Sequence, residues 1–250
     1  MQHNKVVIIT GGSRGIGAAT ARLFAKKGHS ICINYKSEVE PAQILAKEIS
    51  EQGVKCIAVR ADASDETDVN RLFATVDKEL GPVSILVNNA GILKTQTRLV
   101  DMTASRINQI LINNVTSYFL CSREAVKRMS IARGGIGGVI VNVSSAASKS
   151  GSPNEYIDYA ASKGAIDTLT RGLSLEVAHE GIRVNCVRPG LIHTGMHTDG
   201  GEPERIKRLE NNIPLGRGGQ PEEVAEAIYW LACDKSSFAT GNFLDLAGGL

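Results

Sequence analysis

The sequence predicts an α/β protein whose parallel sheet is doubly wound, with helices on both faces. Short β-branched runs alternate with longer amphipathic segments along the whole chain, which is the pattern of repeated βαβ units. The Val/Ile runs lack polar alternation, as expected for strands that helices bury on both faces. With 250 residues, 42% of them hydrophobic, the chain can bury a sizeable core.

Each element follows from this rhythm. The predicted strands cover residues 6–10, 30–35, 55–60, 85–88, 139–143, 183–188 and 242–246. The predicted helices cover residues 15–27, 40–52, 66–80, 103–129, 156–179 and 222–232. Residues 191–219 break the rhythm around a short charged helix, and we interpret them as a lid. Because no long linker interrupts the chain, we expect a single domain over residues 1–250.

Composition and charge argue against several classes of protein. The net charge is +2 and the basic residues are scattered or paired with acids, so no nucleic-acid partner is indicated. The five cysteines form no C-x-x-C pair, which argues against both a disulfide framework and a zinc ribbon. No apolar run approaches the roughly 18 residues that span a bilayer. We therefore expect a cytoplasmic protein without a membrane partner.

A glycine-rich turn follows the first predicted strand and opens the first helix. It reads Thr10-Gly11-Gly12-Ser13-Arg14-Gly15-Ile16-Gly17. Glycines allow the backbone to approach a pyrophosphate closely, while the free N–H groups and positive end of the helix attract its charge. A glycine cluster alone could be a simple tight turn, but its place inside a βαβ unit predicts a dinucleotide site.

The end of the second strand indicates which dinucleotide is bound. The chain reads Asn34-Tyr35-Lys36-Ser37 where an acidic residue would accept the ribose 2′-OH of NAD. Arg14 and Lys36 could both reach the 2′-phosphate of NADP instead. We therefore expect NADP(H) rather than NAD(H), although the neighbouring Glu38 leaves NAD open.

A tyrosine and a lysine share one face of a later helix. Tyr159 and Lys163 are four residues apart, so both side chains can enter one site. An ammonium about 4 Å away would lower the pKa of the phenol from about 10 toward neutrality. Such a phenol would serve as a general acid or base. Ser144 and Ser145 follow a strand of the same sheet, where ligands of open α/β sheets bind.

These motifs together resemble the short-chain dehydrogenase/reductase family. TGxxxGxG at residues 10–17, NNAG at 88–91, YxxxK at 159–163 and PG at 189–190 occur in the family's order and at similar intervals, over nearly the whole chain. The resemblance implies a Rossmann-type sheet of seven parallel strands, hydride transfer between a nicotinamide and a carbonyl or alcohol, and a homotetramer.

The resemblance also implies roles for matching residues. Tyr159 is expected to exchange a proton with the substrate oxygen, Lys163 to lower its pKa and hold the nicotinamide ribose, Ser145 to orient that oxygen, and Asn114 to tie a water to Lys163. No metal is expected. The predicted cofactor-binding residues are Gly11, Ser13, Arg14, Gly15, Ile16, Gly17, Asn34, Tyr35, Lys36, Ser37, Asp62, Ala63, Asn89, Ala90, Gly91, Tyr159, Lys163, Pro189, Gly190, Ile192 and Thr194.

Several of these residues have rivals. Ser144 competes with Ser145, although neighbours at a strand end face opposite ways. Asn113 competes with Asn114, although Asn113 could instead serve only to support helix packing. Tyr156 is too far along the helix to contact Lys163 directly, which favours a substrate-side or structural role. His193 and His197 are spaced like a metal pair, but the sequence offers no third ligand. They are expected to line the substrate mouth or face solvent.

Two classes of function compete, and two substrates within one of them. A nucleotide sensor or scaffold on the same fold would not need both Tyr159 and Lys163. As an enzyme, the chain is similar to 3-oxoacyl-carrier-protein reductases and also to sugar and small-ketone dehydrogenases such as glucose dehydrogenases. Glu180 stands where those carrier-protein reductases commonly have an arginine, and docking of an acidic carrier requires basic residues at the mouth. This favours a small carbonyl or alcohol substrate.

Overall fold

Seven parallel strands form one sheet in the computed structural model, which describes residues 5–250. The strand order is β3-β2-β1-β4-β5-β6-β7. The strands are β1 (Val6–Ile9), β2 (Ser30–Tyr35), β3 (Cys56–Arg60), β4 (Val83–Asn88), β5 (Gly138–Val143), β6 (Ile182–Pro189) and β7 (Phe243–Leu246). The predicted fold class is confirmed. The order reverses between β1 and β4, and this switch point opens a crevice at the carboxyl ends of the strands.

Helices cover both faces of this sheet. They are α1 (Gly15–Lys26), α2 (Val39–Ser50), α3 (Glu66–Glu79), α4 (Ala104–Leu111), α5 (Ser117–Met129), α6 (Ala147–Ser150), α7 (Ile157–Val177), α8 (Met196–Asp199), α9 (Arg205–Leu209) and α10 (Pro221–Ala232). Strand β1 shows how the two layers arise, because successive side chains point to opposite faces. Val7 and Ile9 join the core shared with α1, α2 and α10, while Val6 and Ile8 join the core shared with α3 and α5.

The predicted continuous helix over residues 103–129 is wrong in one place. A single π-helical turn (Ile112–Thr116) separates α4 from α5. The side chain of Asn114 is the physical reason, because it is fully buried and bonds both backbone groups of Ile92: its Oδ1 accepts from the N–H at 2.8 Å and its Nδ2 donates to the carbonyl at 3.0 Å. The extra residue in the turn lets Asn114 reach this partner.

Residues 191–219 leave the sheet after β6 and return to it before α10. Where one short helix was predicted, the segment contains two, α8 and α9. Its two ends meet, since His193 N–H donates to the Gly219 carbonyl and Gly219 N–H donates to the Leu191 carbonyl, both at 2.9 Å. None of the helices in residues 5–250 combines the length and apolar character needed to cross a bilayer.

Candidate active site

The glycine turn lies at the crevice between β1 and β4. Gly11 and Gly15 have φ angles of +60° and +53°, which L side chains rarely adopt. A Cβ on Gly17 would lie 2.4 Å from the Gly11 carbonyl oxygen, so the turn packs against α1 only because this residue is a glycine. The Arg14 side chain does not cap α1, and the first turn of α1 has no acidic residue. Its first N–H groups are therefore available to an anion.

Two polar residues brace the turn against the end of β4. Asn89 donates from Nδ2 to the carbonyls of Thr10 and Gly11, both at 3.0 Å. The Thr10 hydroxyl oxygen in turn accepts from the N–H groups of Asn89 and Ala90, at 2.9 and 3.0 Å. The backbone of the turn is thus held from two sides. This rigidity suits a site that must present N–H groups to a pyrophosphate.

A cleft runs from this turn to the ends of β2 and β3. Most of the predicted cofactor-binding residues line it: Gly11, Ser13, Arg14, Gly15, Ile16, Asn34, Tyr35, Lys36, Ser37, Asp62, Ala63, Asn89, Ala90, Gly91 and Thr194. We call this the cofactor cleft. Six predicted residues do not line it: Tyr159 and Lys163, which are described below, and four others. Gly17 packs beneath the turn, Pro189 is buried at the end of β6, Gly190 lines a neighbouring cavity, and Ile192 is buried where the 191–219 segment closes.

The basic residues of the cofactor cleft are paired with acids in this conformation. Lys36 Nζ lies 2.6 Å from Asp62 Oδ2, and Arg14 Nη2 lies 2.5 Å from Asp199 Oδ2 in α8. The pKa of Asp62 is below its ordinary value, because the bonds from Lys36 and Ser64 outweigh the effect of burial. Arg14 therefore joins the glycine turn to the 191–219 segment.

Lys163 is buried beneath the floor of the cofactor cleft, next to Gly91, which lines that floor. Its Nζ is 3.6 Å from the point that a Cβ on Gly91 would occupy, and Asn114 Oδ1 is 3.5 Å from that same point. Both side chains are buried, and Gly91 lies between them and the cofactor cleft. Lys163 Nζ donates to the Val143 carbonyl at 2.8 Å and contacts the Tyr118 hydroxyl at 3.3 Å. The side chain of Asn114 reaches Ser162 and Ile92 rather than Lys163 directly.

Tyr159 and Ser145 meet in a second cavity next to the cofactor cleft. Both side chains line it, and the Ser145 hydroxyl lowers the pKa of the Tyr159 phenol. We call it the Tyr159 cavity. Its volume is about 500 Å³. Ser144 faces the other way, since its hydroxyl is buried and donates to the Lys163 carbonyl at 3.1 Å. Of the two serines, only Ser145 is placed to bind a ligand in this cavity.

The expected lowering of the tyrosine pKa is not found in this arrangement. Burial raises the pKa of Tyr159 to about 12, although the bond from Ser145 lowers it somewhat. Burial also lowers the pKa of Lys163 to about 8. The ammonium lies 5.6 Å from the centroid of the Tyr159 ring and is directed to the Val143 carbonyl. The prediction assumed a direct contact about 4 Å long between the two charged groups.

Comparisons with known proteins place this chain and its fold in a family. A family model described as enoyl-(acyl carrier protein) reductase matches residues 11–250. A solved structure of a short chain dehydrogenase from Burkholderia cenocepacia J2315, in complex with NADP, is 31% identical with a TM-score of 0.89, and the match covers 98% of this chain and 97% of that one. The chain belongs to the short-chain dehydrogenase/reductase family. It is accordingly an NAD(P)-dependent oxidoreductase of CH–OH and C=O groups.

Two relatives span almost the whole dehydrogenase/reductase chain. The uncharacterized oxidoreductase YgfF of Escherichia coli (strain K12) is 59% identical over 244 residues, which are 98% of this chain and 99% of that protein. The 3-oxoacyl-[acyl-carrier-protein] reductase FabG of Staphylococcus aureus (strain Mu50) is 33% identical over 250 residues, which are 100% of this chain and 99% of that protein. The predicted family is thus confirmed.

An ionic network closes one side of the Tyr159 cavity in this family member. Arg205 of α9 lies 2.5 Å from Glu155 and 3.3 Å from Glu202, and Arg208 pairs with the same two carboxylates. The Arg205 guanidinium also lies 4.9 Å from the centroid of the Tyr156 ring. The Tyr156 hydroxyl donates to the Gly200 carbonyl at 3.2 Å, so Tyr156 joins α7 to the 191–219 segment.

The two histidines of the 191–219 segment do not form a metal site with other residues. Among residues 5–250, no three His, Cys, Asp or Glu side chains are grouped so that they could hold a metal ion. His197 lines the Tyr159 cavity, and its Nε2 is 3.0 Å from the Ile192 carbonyl oxygen. Burial lowers the pKa of His197, which keeps the ring neutral near pH 7. His193 is exposed.

Glu180 does not lie at the mouth of the cleft within one chain. It follows α7 and precedes β6, at the edge of the sheet opposite the carboxyl ends of the strands. Tyr159 lies in the first turn of α7, at its other end. About 20 residues, or about 30 Å of helix, therefore separate Tyr159 from Glu180. The expectation that Glu180 would oppose an acidic carrier at this chain's own cleft is therefore wrong.

Sequence reasoning missed several residues of this family member's site. Tyr118 contacts Lys163 and donates its hydroxyl to the Val143 carbonyl at 2.9 Å. Its position four residues after Asn114 could have indicated a shared helix face. Ser117 lines the cofactor cleft beside Asn113, which the sequence offered only as a rival of Asn114, and Arg205 lines the Tyr159 cavity. Nothing in the local sequence distinguishes Arg205 from the other charged residues of the segment.

Proposed function

We propose that this enzyme is an NADP(H)-dependent reductase in which Tyr159, Ser145, Lys163 and Asn114 form the catalytic site. The observation that carries the proposal is that Tyr159 and Ser145 share one cavity beside the cofactor cleft, with Lys163 buried beneath the cleft floor. A ketone oxygen in this cavity can reach both hydroxyls at once. Holding a ketone oxygen is therefore the role that we assign to this phenol and serine pair beside the dinucleotide cleft.

The protonation state of Tyr159 favours reduction. NADPH held in the cofactor cleft would supply a hydride to the carbonyl carbon. With a pKa of about 12, Tyr159 is protonated at pH 7 and can donate its proton to the carbonyl oxygen as negative charge develops there. Ser145 holds the same oxygen. The sum is ketone, NADPH and one proton giving alcohol and NADP⁺, with the proton of Tyr159 replaced from solvent through the Lys163 and Asn114 region.

The cleft residues support NADP(H) over NAD(H). Arg14, Lys36 and Ser37 line the part of the cofactor cleft next to β2, where a 2′-phosphate would add a charge of about −2. Glu38 also lines it, and both basic residues have acidic partners already. A 2′-phosphate would have to share or replace these carboxylates. The NADP complex of the Burkholderia relative supports the same choice.

We also propose that the chain is one domain, that the 191–219 segment is its lid, and that it works as a cytoplasmic homotetramer. The two ends of the segment are fixed to each other, while Arg14 and Tyr156 bond its middle, which fits a lid.

Leu111, Ile112 and Phe119 leave exposed apolar surface on α4, the π turn and α5, which suits burial by a second copy. All five cysteines are free thiols, as in a reducing compartment.

A substrate screen tests the proposed function. Purified enzyme is assayed at pH 7 with NADPH and with NADH against acetoacetyl thioesters, sugars, and aromatic and alicyclic ketones, and the native mass is measured by light scattering. We expect oxidation of NADPH by at least one carbonyl, with kcat/KM at least about tenfold higher than with NADH. Binding of NADPH without turnover on any of these carbonyls would instead support a sensor or scaffold.

A further inference from the structure

The Tyr159 cavity is lined mainly by apolar side chains. Leu93, Leu191, Leu209 and Leu250 line it, together with Met196, which also lines the cofactor cleft. The volume of about 500 Å³ lies within the range of cavities that enclose a small organic molecule. Removing apolar surface from water is favourable, so this lining favours a ligand whose own surface is apolar.

The charged side chains at one side of this cavity neutralise one another. Lys149 Nζ lies 2.9 Å from Asp245 Oδ2, and Asp245 Oδ1 lies 3.4 Å from Arg188 Nη1. Arg188 is itself 2.9 Å from Asp167. Two cations and two carboxylates thus form one chain with no net charge. Lys149 and Asp245, the two members that line the cavity, offer no spare charge to a ligand.

A second group of charged side chains at the cavity is balanced in the same way. Arg205 is buried and lines the cavity, and its guanidinium is held by Glu155 and Glu202. Arg208 binds the same two carboxylates, so this group also has two cations and two anions. A carboxylate or phosphate entering the cavity would have to displace one of these glutamates to find a partner. It would otherwise be desolvated without compensation.

Two polar groups of the cavity are committed to protein partners, while His197 Nδ1 is buried without a partner among residues 5–250. The Tyr156 hydroxyl donates to the Gly200 carbonyl, and His197 Nε2 is bonded to the Ile192 carbonyl. Ser145 and Tyr159 are needed at the reacting oxygen. A sugar has a hydroxyl on nearly every carbon, and most of them would lose water here without gaining a partner.

From these contacts we infer that the substrate is an uncharged, mainly apolar ketone or the matching secondary alcohol. The inference rests on the proposed function, because it takes the Tyr159 cavity as the place where the carbonyl binds. In the reduction, the carbonyl carbon gains hydride from NADPH and its oxygen gains the proton of Tyr159. Neither carboxylated or phosphorylated ketones nor polyhydroxylated sugars match this surface.

Three ketones with the same ring test this inference. They are 4-methylcyclohexanone, 4-oxocyclohexanecarboxylate and pentahydroxycyclohexanone, assayed with the purified enzyme and NADPH at pH 7. We expect kcat/KM for the methyl compound to exceed that for either polar compound by about 100-fold. Equal or better use of the carboxylate or the polyol overturns the inference. Absence of turnover on these and every other carbonyl overturns the proposed function itself.

A charge variant tests whether the balanced network is the cause. Glu155→Gln leaves Arg205 and Arg208 with one carboxylate between them, so the cavity side gains a positive charge. We expect the ratio of kcat/KM for the carboxylate to that for the methyl ketone to rise at least about tenfold. Glu204→Gln is the control, because it makes the same charge change at an exposed neighbour of Arg205. The control should change the ratio less than about twofold. An unchanged ratio in Glu155→Gln, or an equal rise in both variants, overturns the inference.

Discussion

The cofactor cleft and the Tyr159 cavity are built by different means. The cleft is shaped by backbone: glycines with positive φ angles, and carbonyl and N–H groups braced by Thr10 and Asn89. The cavity is shaped by side chains that meet across long stretches of sequence. Glu155 and Arg205 are 50 residues apart, and Lys149 and Asp245 are 96 residues apart.

This difference explains why the cofactor cleft is easier to predict from the sequence than the Tyr159 cavity. A backbone turn that approaches a phosphate requires particular residue types at particular spacings, and these appear as a motif. A pair of opposite charges can be supplied by many positions, so no motif marks it. The cofactor is therefore easier to infer than the substrate.

Removal of the Tyr159 hydroxyl is the strongest test that the two halves act separately. We expect Tyr159→Phe to lower kcat by about 10³-fold or more, because the proton donor is lost. The Kd for NADPH, measured by fluorescence, should change less than about twofold, since the hydroxyl acts in the cavity. Comparable turnover by the variant would remove Tyr159 from its proposed role.

A substitution beneath the glycine turn should damage only the cofactor half. In Gly17→Ala the new Cβ would meet the Gly11 carbonyl at 2.4 Å and displace the turn. We expect the Kd for NADPH to rise about 50-fold, with the relative kcat/KM values among ketones unchanged. Gly172→Ala is the matched control, because a Cβ there meets nothing within 4 Å in the chain. A normal Kd in Gly17→Ala would contradict the account of the turn.

The ion pair between the two halves should have a smaller effect. Arg14 is shared between Asp199 and the proposed 2′-phosphate site, so Asp199→Asn frees its charge. Both side chains are largely exposed, and we expect NADPH to bind about two- to fivefold more tightly with no change for NADH. In a chain that already carries Arg14→Gln, adding Asp199→Asn should not tighten the binding of NADPH. Equal shifts for both cofactors would show that Asp199 does not compete with a phosphate.

Replacing Lys163 tests whether its buried charge lowers the stability of the folded protein. Burial lowers its pKa from 10.5 to about 8, so the charged form is disfavoured in the folded protein. We expect Lys163→Met to lose activity but to raise Tm by a few degrees at pH 7. The Val143 carbonyl keeps the Tyr118 hydroxyl as its donor in this variant.

The pH dependence gives this last prediction its control. Between pH 8 and 10.5 the unfolded chain binds more protons at Lys163 than the folded one, so the wild-type free energy of unfolding rises with pH. The advantage of Lys163→Met should be full below pH 8 and disappear as pH approaches 10.5. Lys207→Met, at an exposed lysine, should show no such trend. A constant difference across this range would mean that charge burial is not the cause.

Much of the fold could be predicted because strand and helix patterns are local. Ser30–Tyr35 was predicted at its observed bounds, and β1 within one residue. The π turn could not be predicted, since Ile112–Thr116 reads as ordinary helix and only the bond from Asn114 to Ile92 reveals the extra residue. The roles of Arg205 and Glu155 depend on the path of a loop, which periodicity does not describe. The predicted lowering of the Tyr159 pKa was wrong because this pKa depends on burial, and the spacing of residues along the chain does not show burial.

The π turn also fixes how the two helices beside it are oriented. One added residue rotates everything after it by about 100° relative to an uninterrupted α-helix. Helix α4 packs on α7, whereas α5 packs on β4 and α3, so one continuous chain serves two neighbours that lie in different directions. The length of this segment thus matters more than the identity of most of its residues. Deleting a single residue there would misalign α5 with the sheet even if every motif were retained.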